Sequence, residues 1–396
     1  MALAIPACAD DVTDGWLEQV LRRRHGNEYK LTSTEQSSIV GTQAVLCSEM
    51  RCVSCRGQLG SKSITDHLVA KLLPRDPTMR SMVTSLNMPQ RETPVYTDLL
   101  PKLSAFERSH GRDVIAAMTV TCLHAAISAD GDDRLRSVIL LENLQPAGFW
   151  TPGPTQLPED ALPEAVRQMA RLAATSNVWL RHCNLRSLPY LFSTQLERDH
   201  LAQHFIGIGV QKIETRLRER GQQALLQKLQ RMQEIANELI SRELQPRDDH
   251  LRVITHGDFR DGNLLLKRLP VGGWDVRLID WQVSMLSHPV VDLVYLLMLS
   301  LPREVMARCE AAALRTYCAE FAACTAALGA DGGLSLEKLN ADFRRAKLLG
   351  LMWCLSLATF WDWVAAWPDH CIDIAEEVDR LGLLDGLVDQ QPSGSG

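Results

Sequence analysis

Apolar and polar positions change rhythm near Gly148: short β-branched runs dominate before it, and helical spacing dominates after it. The first 30 residues read as a helical lead-in, with Asp14 as N-cap and Trp16, Leu17, Val20 and Leu21 on one face. SSIVGTQAVLC (37–47) and HLVAKLLP (67–74) predict strands, the second closed by Pro74. A helix is expected over Arg80–Leu103, interrupted or bent at Pro89, Pro94 and Pro101. MTVTCLHAAIS (118–128) and RSVILLENL (136–144) predict two more strands around the turn ADGDD. TPGPTQLPED is a connector, and Leu162–Leu180 has the spacing of a helix. Between Gln222 and Glu243 a single stripe collects Leu225, Leu226, Leu229, Met232, Ile235, Ala236, Leu239 and Ile240, which predicts core packing. LRVITHG and VRLIDWQ read as short strands flanking a loop, everything after Pro289 reads as helix, and QQPSGSG as a flexible tail.

Composition narrows the class. Apolar residues make up 46% and charged residues 23% of 396, an ordinary globular balance. A net charge of −6 argues against nucleic acid or an anionic membrane as a general partner. MALAIPACADD lacks the basic start of a secretory signal, and no run reaches the length of a membrane span. The longest apolar run, Pro289–Leu301, contains Asp292 and reads as a buried helix. Eleven scattered cysteines fit reduced thiols and a cytoplasmic location. Cys52 and Cys55 form one CxxC without a second pair of similar spacing, which favours ordinary thiols over a zinc site.

The chemistry concentrates in ITHGDFRDGNLLLKRLPVGGWDVRLIDWQ, Ile254–Gln282. Phosphoryl transfer needs a nucleophile placed in line and a cation that neutralises phosphate charge. One carboxylate can orient and deprotonate a hydroxyl, while a second carboxylate and an amide oxygen hold Mg²⁺, a hard ion. Asp258 suits the first role; Asn263 and Asp280 suit the second. Any of the three alone would read as a turn or a capping residue. Their joint placement, after His-Gly and between apolar strands, favours catalysis.

HGDxxxxN followed by IDWQ resembles the aminoglycoside phosphotransferase and choline kinase group, and most closely its ecdysteroid kinase-like (CHK kinase-like) branch. The resemblance runs in order from about residue 38 to 300. VAKLLP is similar to the strand of the phosphate-binding lysine, here Lys71. RETPVYTDLLPKL is similar to the E-x-x-x-Y-x-x-L-L-P-x-L helix, which makes Glu92 the partner of Lys71. ILLENLQPAGF resembles the linker whose backbone meets adenine, around Glu142–Leu144, and PVVDLVYLL implies that Asp292 braces the catalytic loop. In the nucleotide loop only Gly41 answers the pattern, and Ala173 stands where the family has a histidine.

The resemblance implies an α+β, bilobal protein-kinase-like fold: an N-terminal lobe over 1–141, a helical lobe over 142–390, an ATP cleft between them and a tail over 391–396. It also implies ATP and Mg²⁺ as cofactors and a small-molecule hydroxyl as acceptor: a steroid, choline-like or aminoglycoside-like alcohol. His256 would hold the loop backbone, and Gln282 and Arg260 would orient the loop or line the cleft. The aromatic run MWCLSLATFWDWVAAW (352–367) offers Met352, Trp353, Phe360, Trp361, Trp363 and Trp367. These rings would either seat an apolar or quaternary-ammonium acceptor, with Asp362 pairing a cation, or pack the last helices together. HGD in place of HRD disfavours a protein kinase. A nucleotide-binding pseudokinase acting as an interaction module is the alternative.

Overall fold

Trp16, Leu17, Val20 and Leu21 are buried on one face of helix α1 (Asp14–His25). In the computed structural model, which describes residues 3–38, 47–128, 135–200, 205–244, 251–358 and 364–387, that face packs on a five-stranded antiparallel sheet of order β1-β2-β3-β5-β4. The strands are β1 (Lys30–Ser38), β2 (Glu49–Leu59), β3 (Lys62–Leu72), β4 (Cys122–Ile127) and β5 (Ser137–Glu142). The α1 cap is Thr13, whose hydroxyl accepts the Trp16 amide, and Asp14 is the first helical residue rather than the cap the sequence predicts. A threonine hydroxyl satisfies the orphan donor as well as a carboxylate does, so periodicity alone misses by one position.

Side chains alternate across the sheet with period two. Val53, Cys55, Leu68, Ala70, Leu72, Val138 and Leu140 face α1 and form the core. The opposite face bears Lys71, paired in register with Met50 and Ile139, then Val69 beside Cys52 and Leu141, then His67 beside Ser54. Cys52 and Cys55, three apart on β2, therefore lie on opposite faces. The expected strand at 37–47 contributes only Ser37 and Ser38 to β1; 39–46, with Gly41, lie outside the described residues, as do ADGDD and the tail 391–396.

The expected helix over 80–103 is three pieces: α2 (Pro77–Ser85), α3 (Met88–Pro94) and α4 (Leu100–Ser109). The break falls at Leu86–Asn87, where Asn87 is left-handed at φ 51°. Pro89 and Pro101 do not break it, whereas α3 ends at Pro94, one of the three interruptions the sequence predicts. Pro89 and Pro101 occupy first turns, where no N–H is needed. A wide π turn over Val95–Leu99 follows Pro94 and absorbs the register change. A short helix, α5 (Val114–Met118), leads into β4.

The chain divides into two compact units, the first comprising Met1–Thr151 with Leu265–Leu269 and Asp275–Val283. The second unit is mostly helical: α6 (Leu162–Leu180), α7 (Gln195–His200), α8 (Gly207–Glu219), α9 (Gln223–Glu234), α10 (Ala236–Leu244), α11 (Val290–Leu299), α12 (Arg303–Ala327), α13 (Leu336–Leu357) and α14 (Trp367–Arg380). The 222–243 stripe is buried throughout, but Ile235 separates it into α9 and α10. Every residue of α11 is buried. It packs closely on α13 because a Cβ at Gly350 would stand 2.3 Å from Met298 Sδ. Four short strands complete the chain: β6 (Val253–Thr255) pairs with β9 (Met285–Ser287), and β7 (Leu264–Arg268) with β8 (Trp274–Leu278). Strand β7 lies inside the segment that the sequence reads as loop. Among the described residues no helix is long and apolar enough to cross a membrane.

Candidate functional site

In the first unit, β3 carries Lys71 on the face away from the α1 core. Its ammonium meets Glu92 Oε2 of α3 at 2.6 Å and Asp280 Oδ1 at 2.8 Å. Burial by itself would lower the Lys71 pKa; the charges of Asp280 and Glu92 outweigh it and hold the group above the ordinary lysine value. Burial pushes Glu92 the other way, up to about 7, with the Lys71 charge opposing. Asp280 comes two residues after β8 in the left-handed region at φ 67°, a conformation that Asp and Asn tolerate better than other side chains. Gln282 lines a recess beside Lys71 and Glu92 together with Cys47, Val83, Met88 and Ser137, and its carbonyl accepts a long bond from Arg91 Nη1.

The linker is also in this unit. The Glu142 amide is committed to Thr121 O and the Asn143 amide to His67 O, while Leu144 O accepts from Ala147 and Phe149. The Leu144 N–H keeps no partner among the described residues. Of the residues expected to meet a base through the backbone, Leu144 retains a free donor. Asn143 Nδ2 points to Cys52 Sγ at 3.7 Å, so the linker abuts the half-buried sheet face of Cys52, Val69 and Leu141.

The second unit holds the HGD loop, between β6 and β7. Asp292, in the first turn of α11, accepts the His256 amide on Oδ2 at 2.8 Å and the Gly257 amide on Oδ1 at 2.9 Å. Gly257 has φ 83°, which requires a residue without Cβ. His256 is buried, and its Nδ1 faces the Asp258 amide at 3.4 Å while its carbonyl accepts from Ser284 Oγ. These bonds run to the loop backbone.

Asp258 is held on both oxygens. Arg260 Nε donates to Oδ1 at 2.9 Å and Asn263 Nδ2 to Oδ2 at 2.7 Å. Asn263 Nδ2 also reaches the Asp258 carbonyl at 2.8 Å, so both amide protons are used, and Oδ1 has no partner among the described residues. The Tyr295 phenol of α11 is fully buried, and after burial the Asp258 charge is the strongest influence raising its pKa. Its ring packs on Trp353 of α13 at 5.3 Å.

The aromatic run divides. Met352 and Trp367 pack in the core, Trp367 donating Nε1 to Cys354 O at 3.1 Å. Trp353 is half-buried against Tyr295. Phe360, Trp361, Asp362 and Trp363 lie outside the described residues.

The ecdysteroid kinase-like family matches residues 44–330, well over half of the chain. The chain belongs to that family. No curated protein matches significantly. Among solved structures this ecdysteroid kinase-like chain is similar to the choline kinase LicA from Streptococcus pneumoniae, at 12% identity and TM-score 0.40, over 94% of this chain and 99% of that one. A microcompartment-associated aminopropanol kinase matches at 14% identity and TM-score 0.40, over 93% and 99%. A GDP complex of an aminoglycoside 2'-phosphotransferase-IIIa matches at 13% identity and TM-score 0.40, over 92% and 97%.

Three residues around the HGD loop escaped the sequence reading: Tyr295, and the pair Asp261 and Ser300, whose amide and hydroxyl meet at 2.9 Å. Asp261 lies inside the motif and could have been flagged by place; the other two carry no signal short of contact. Asp292 offers a prediction. Burial pushes its carboxyl up to about 7, against the Gly257 and His256 amides. A carboxyl raised in the folded state contributes stability that is complete below its unfolded value of 3.8 and lost as pH climbs through about 7. Asp292→Asn should cost about 1–3 kcal/mol, since an NH₂ then faces a loop amide. That cost should be larger near pH 5 than near pH 8, as read from thermal midpoints; equal costs would refute the shift.

Proposed function

We propose that the chain transfers the terminal phosphoryl group of ATP to a hydroxyl of a small molecule. The observation that carries this reading is Lys71 kept charged between Glu92 and Asp280, in a setting where burial alone would favour the neutral amine. A buried lysine of this kind suits a phosphate anion. The family assignment supports the same reading.

Each role follows from what a side chain has left to offer. Asp258, oriented by Arg260 and Asn263, takes the proton of the acceptor hydroxyl. Lys71 binds phosphate, and the Leu144 amide meets the base over the apolar face of Val69 and Leu141. His256 and Asp292 hold the loop. Asn263 Oδ1 and Asp280 Oδ2, each without a partner among the described residues, are hard oxygens of the kind that Mg²⁺ prefers. Mg²⁺ at oxygens of this kind would neutralise charge on the transferring phosphate. Trp353, half-buried against the buried Tyr295 ring, would offer one aromatic face to an acceptor, which favours an apolar or cationic alcohol such as a steroid or a choline-like compound over a heavily hydroxylated one.

The test is incubation of the protein with Mg·ATP and a pooled metabolite extract, followed by mass spectrometry of the metabolite that gains phosphate. A phosphorylated small molecule is expected. Phosphate found only on peptides would overturn the acceptor class, and ATP binding without transfer would favour the pseudokinase module.

A further inference from the structure

Helix α11 grips the HGD loop at both of its ends. Asp292 in the first turn takes the His256 and Gly257 amides. Ser300, which follows the last turn, accepts the Asp261 amide on its Oγ at 2.9 Å. Asp258 lies between the two grips.

The second grip is a three-way knot. Ser300 also accepts the Leu157 amide on its carbonyl at 3.3 Å, which brings the connector 152–157 to the same point. From that connector Thr155 and Gln156 lie close to the Asp261 carboxyl, whose Oδ2 is buried without a hydrogen-bond partner among the described residues. Thr155 is left-handed at φ 57°, a conformation that a β-branched residue keeps only where its surroundings hold it. Asp261 itself is wholly buried, as is Ser300. Its Oδ1 accepts the Gly262 amide at 2.7 Å, which shapes the tight turn Asp261–Asn263. Asn263 ends that turn and donates to Asp258 Oδ2. A shift of the turn would move Asn263 and release one side of the Asp258 carboxylate.

A surface turn needs no buried carboxylate, since a solvated Asp or Asn makes the same local bond without desolvation. We propose that Asp261 is a positioning residue: its amide ties the Asp261–Asn263 turn to Ser300, its buried carboxyl closes that turn on the Gly262 amide beside the 152–157 connector, and together they set Asp258 through Asn263. The proposal rests on the phosphotransfer reading, with Asp258 as base.

The experiment compares Asp261→Ala, Asp261→Asn and wild type in Mg·ATP turnover with water as acceptor, in ATP affinity and in amide hydrogen exchange. Asp261→Ala should lower kcat by about tenfold or more while KM for ATP stays within about twofold, the split expected of a misplaced base. Exchange over 256–264 should accelerate while the rest of the second unit is unchanged. Asp261→Asn keeps an acceptor for Gly262 and should recover most of kcat. Should Asp261→Ala fail to fold, Ser300→Ala cuts the same knot and should give the same pattern in milder form. With an active wild type, unchanged kcat and unchanged loop exchange in Asp261→Ala would overturn the anchor alone. Parallel loss of ATP affinity, kcat and exchange protection everywhere would overturn it as well, by showing a general structural role. A folded wild type that binds Mg·ATP and turns it over neither with water nor with the metabolite extract would overturn the phosphotransfer reading and the anchor with it.

Discussion

Asp258→Asn is expected to lower phosphotransfer by about 10²–10⁴-fold, the usual contribution of a positioned general base. The substitution preserves shape and removes the basic oxygen. It also turns one NH₂ toward a loop donor, since Arg260 Nε and Asn263 Nδ2 occupy both carboxylate oxygens. The disturbance is confined to the second unit: the Lys71 ammonium, its two carboxylates and the Leu144 amide belong to the first. ATP affinity should therefore stay within about threefold, because interactions made only in the transition state leave ground-state binding intact. Initial rates and direct titration with ATP separate the two quantities. Equal loss of binding and turnover would contradict the assignment of Asp258 as base.

Asp280→Asn is expected to lower Mg·ATP turnover by about 10²–10³-fold, comparable to removing one preorganised electrostatic contact. Asn is the informative replacement because residue 280 is left-handed at φ 67°, which Asn adopts nearly as readily as Asp. Ala there would add backbone strain of about 1–2 kcal/mol and confuse chemistry with folding. Removal of the charge acts twice. The hard anionic oxygen offered to Mg²⁺ becomes a neutral one, and among the described residues Lys71 keeps only Glu92 against the burial that lowers its pKa. A Mg²⁺ titration of turnover should show a weaker half-saturation as well as a lower maximum. An unchanged Mg²⁺ dependence would remove Asp280 from the metal role.

The candidate site was legible in unequal measure. The Asp258–Asn263 spacing and IDWQ stand out in the sequence, and Lys71 and Glu92 follow from the family resemblance of their strand and helix motifs. Their pairing at 2.6 Å survives the prolines around Glu92, because Pro89 opens α3 and Pro94 passes into the π turn. Arg260 could be read only as orienting the loop or lining a cleft, and its bond to Asp258 Oδ1 depends on the turn that Asp261–Asn263 makes. Tyr295 was hidden in a uniformly apolar helix. Its relation to Asp258, 37 residues earlier, exists only once α11 lies under the loop.

By itself the sequence determined the local elements: the α1 stripe, the burial of all α11, the stripe over 222–243 and the α+β division of the chain. Those follow from side-chain periodicity within a few turns or strand residues, where geometry repeats every 3.6 or two positions. Tertiary structure decided the rest. It made Leu264–Arg268 a strand by supplying Trp274–Leu278 as its partner, and it separated α9 from α10 at Ile235. It also set the Asp292 carboxylate on two amides 36 and 35 residues away. Hydrogen bonds between distant segments tolerate misplacement of only about a few tenths of an ångström, a precision that packing sets and local pattern does not record.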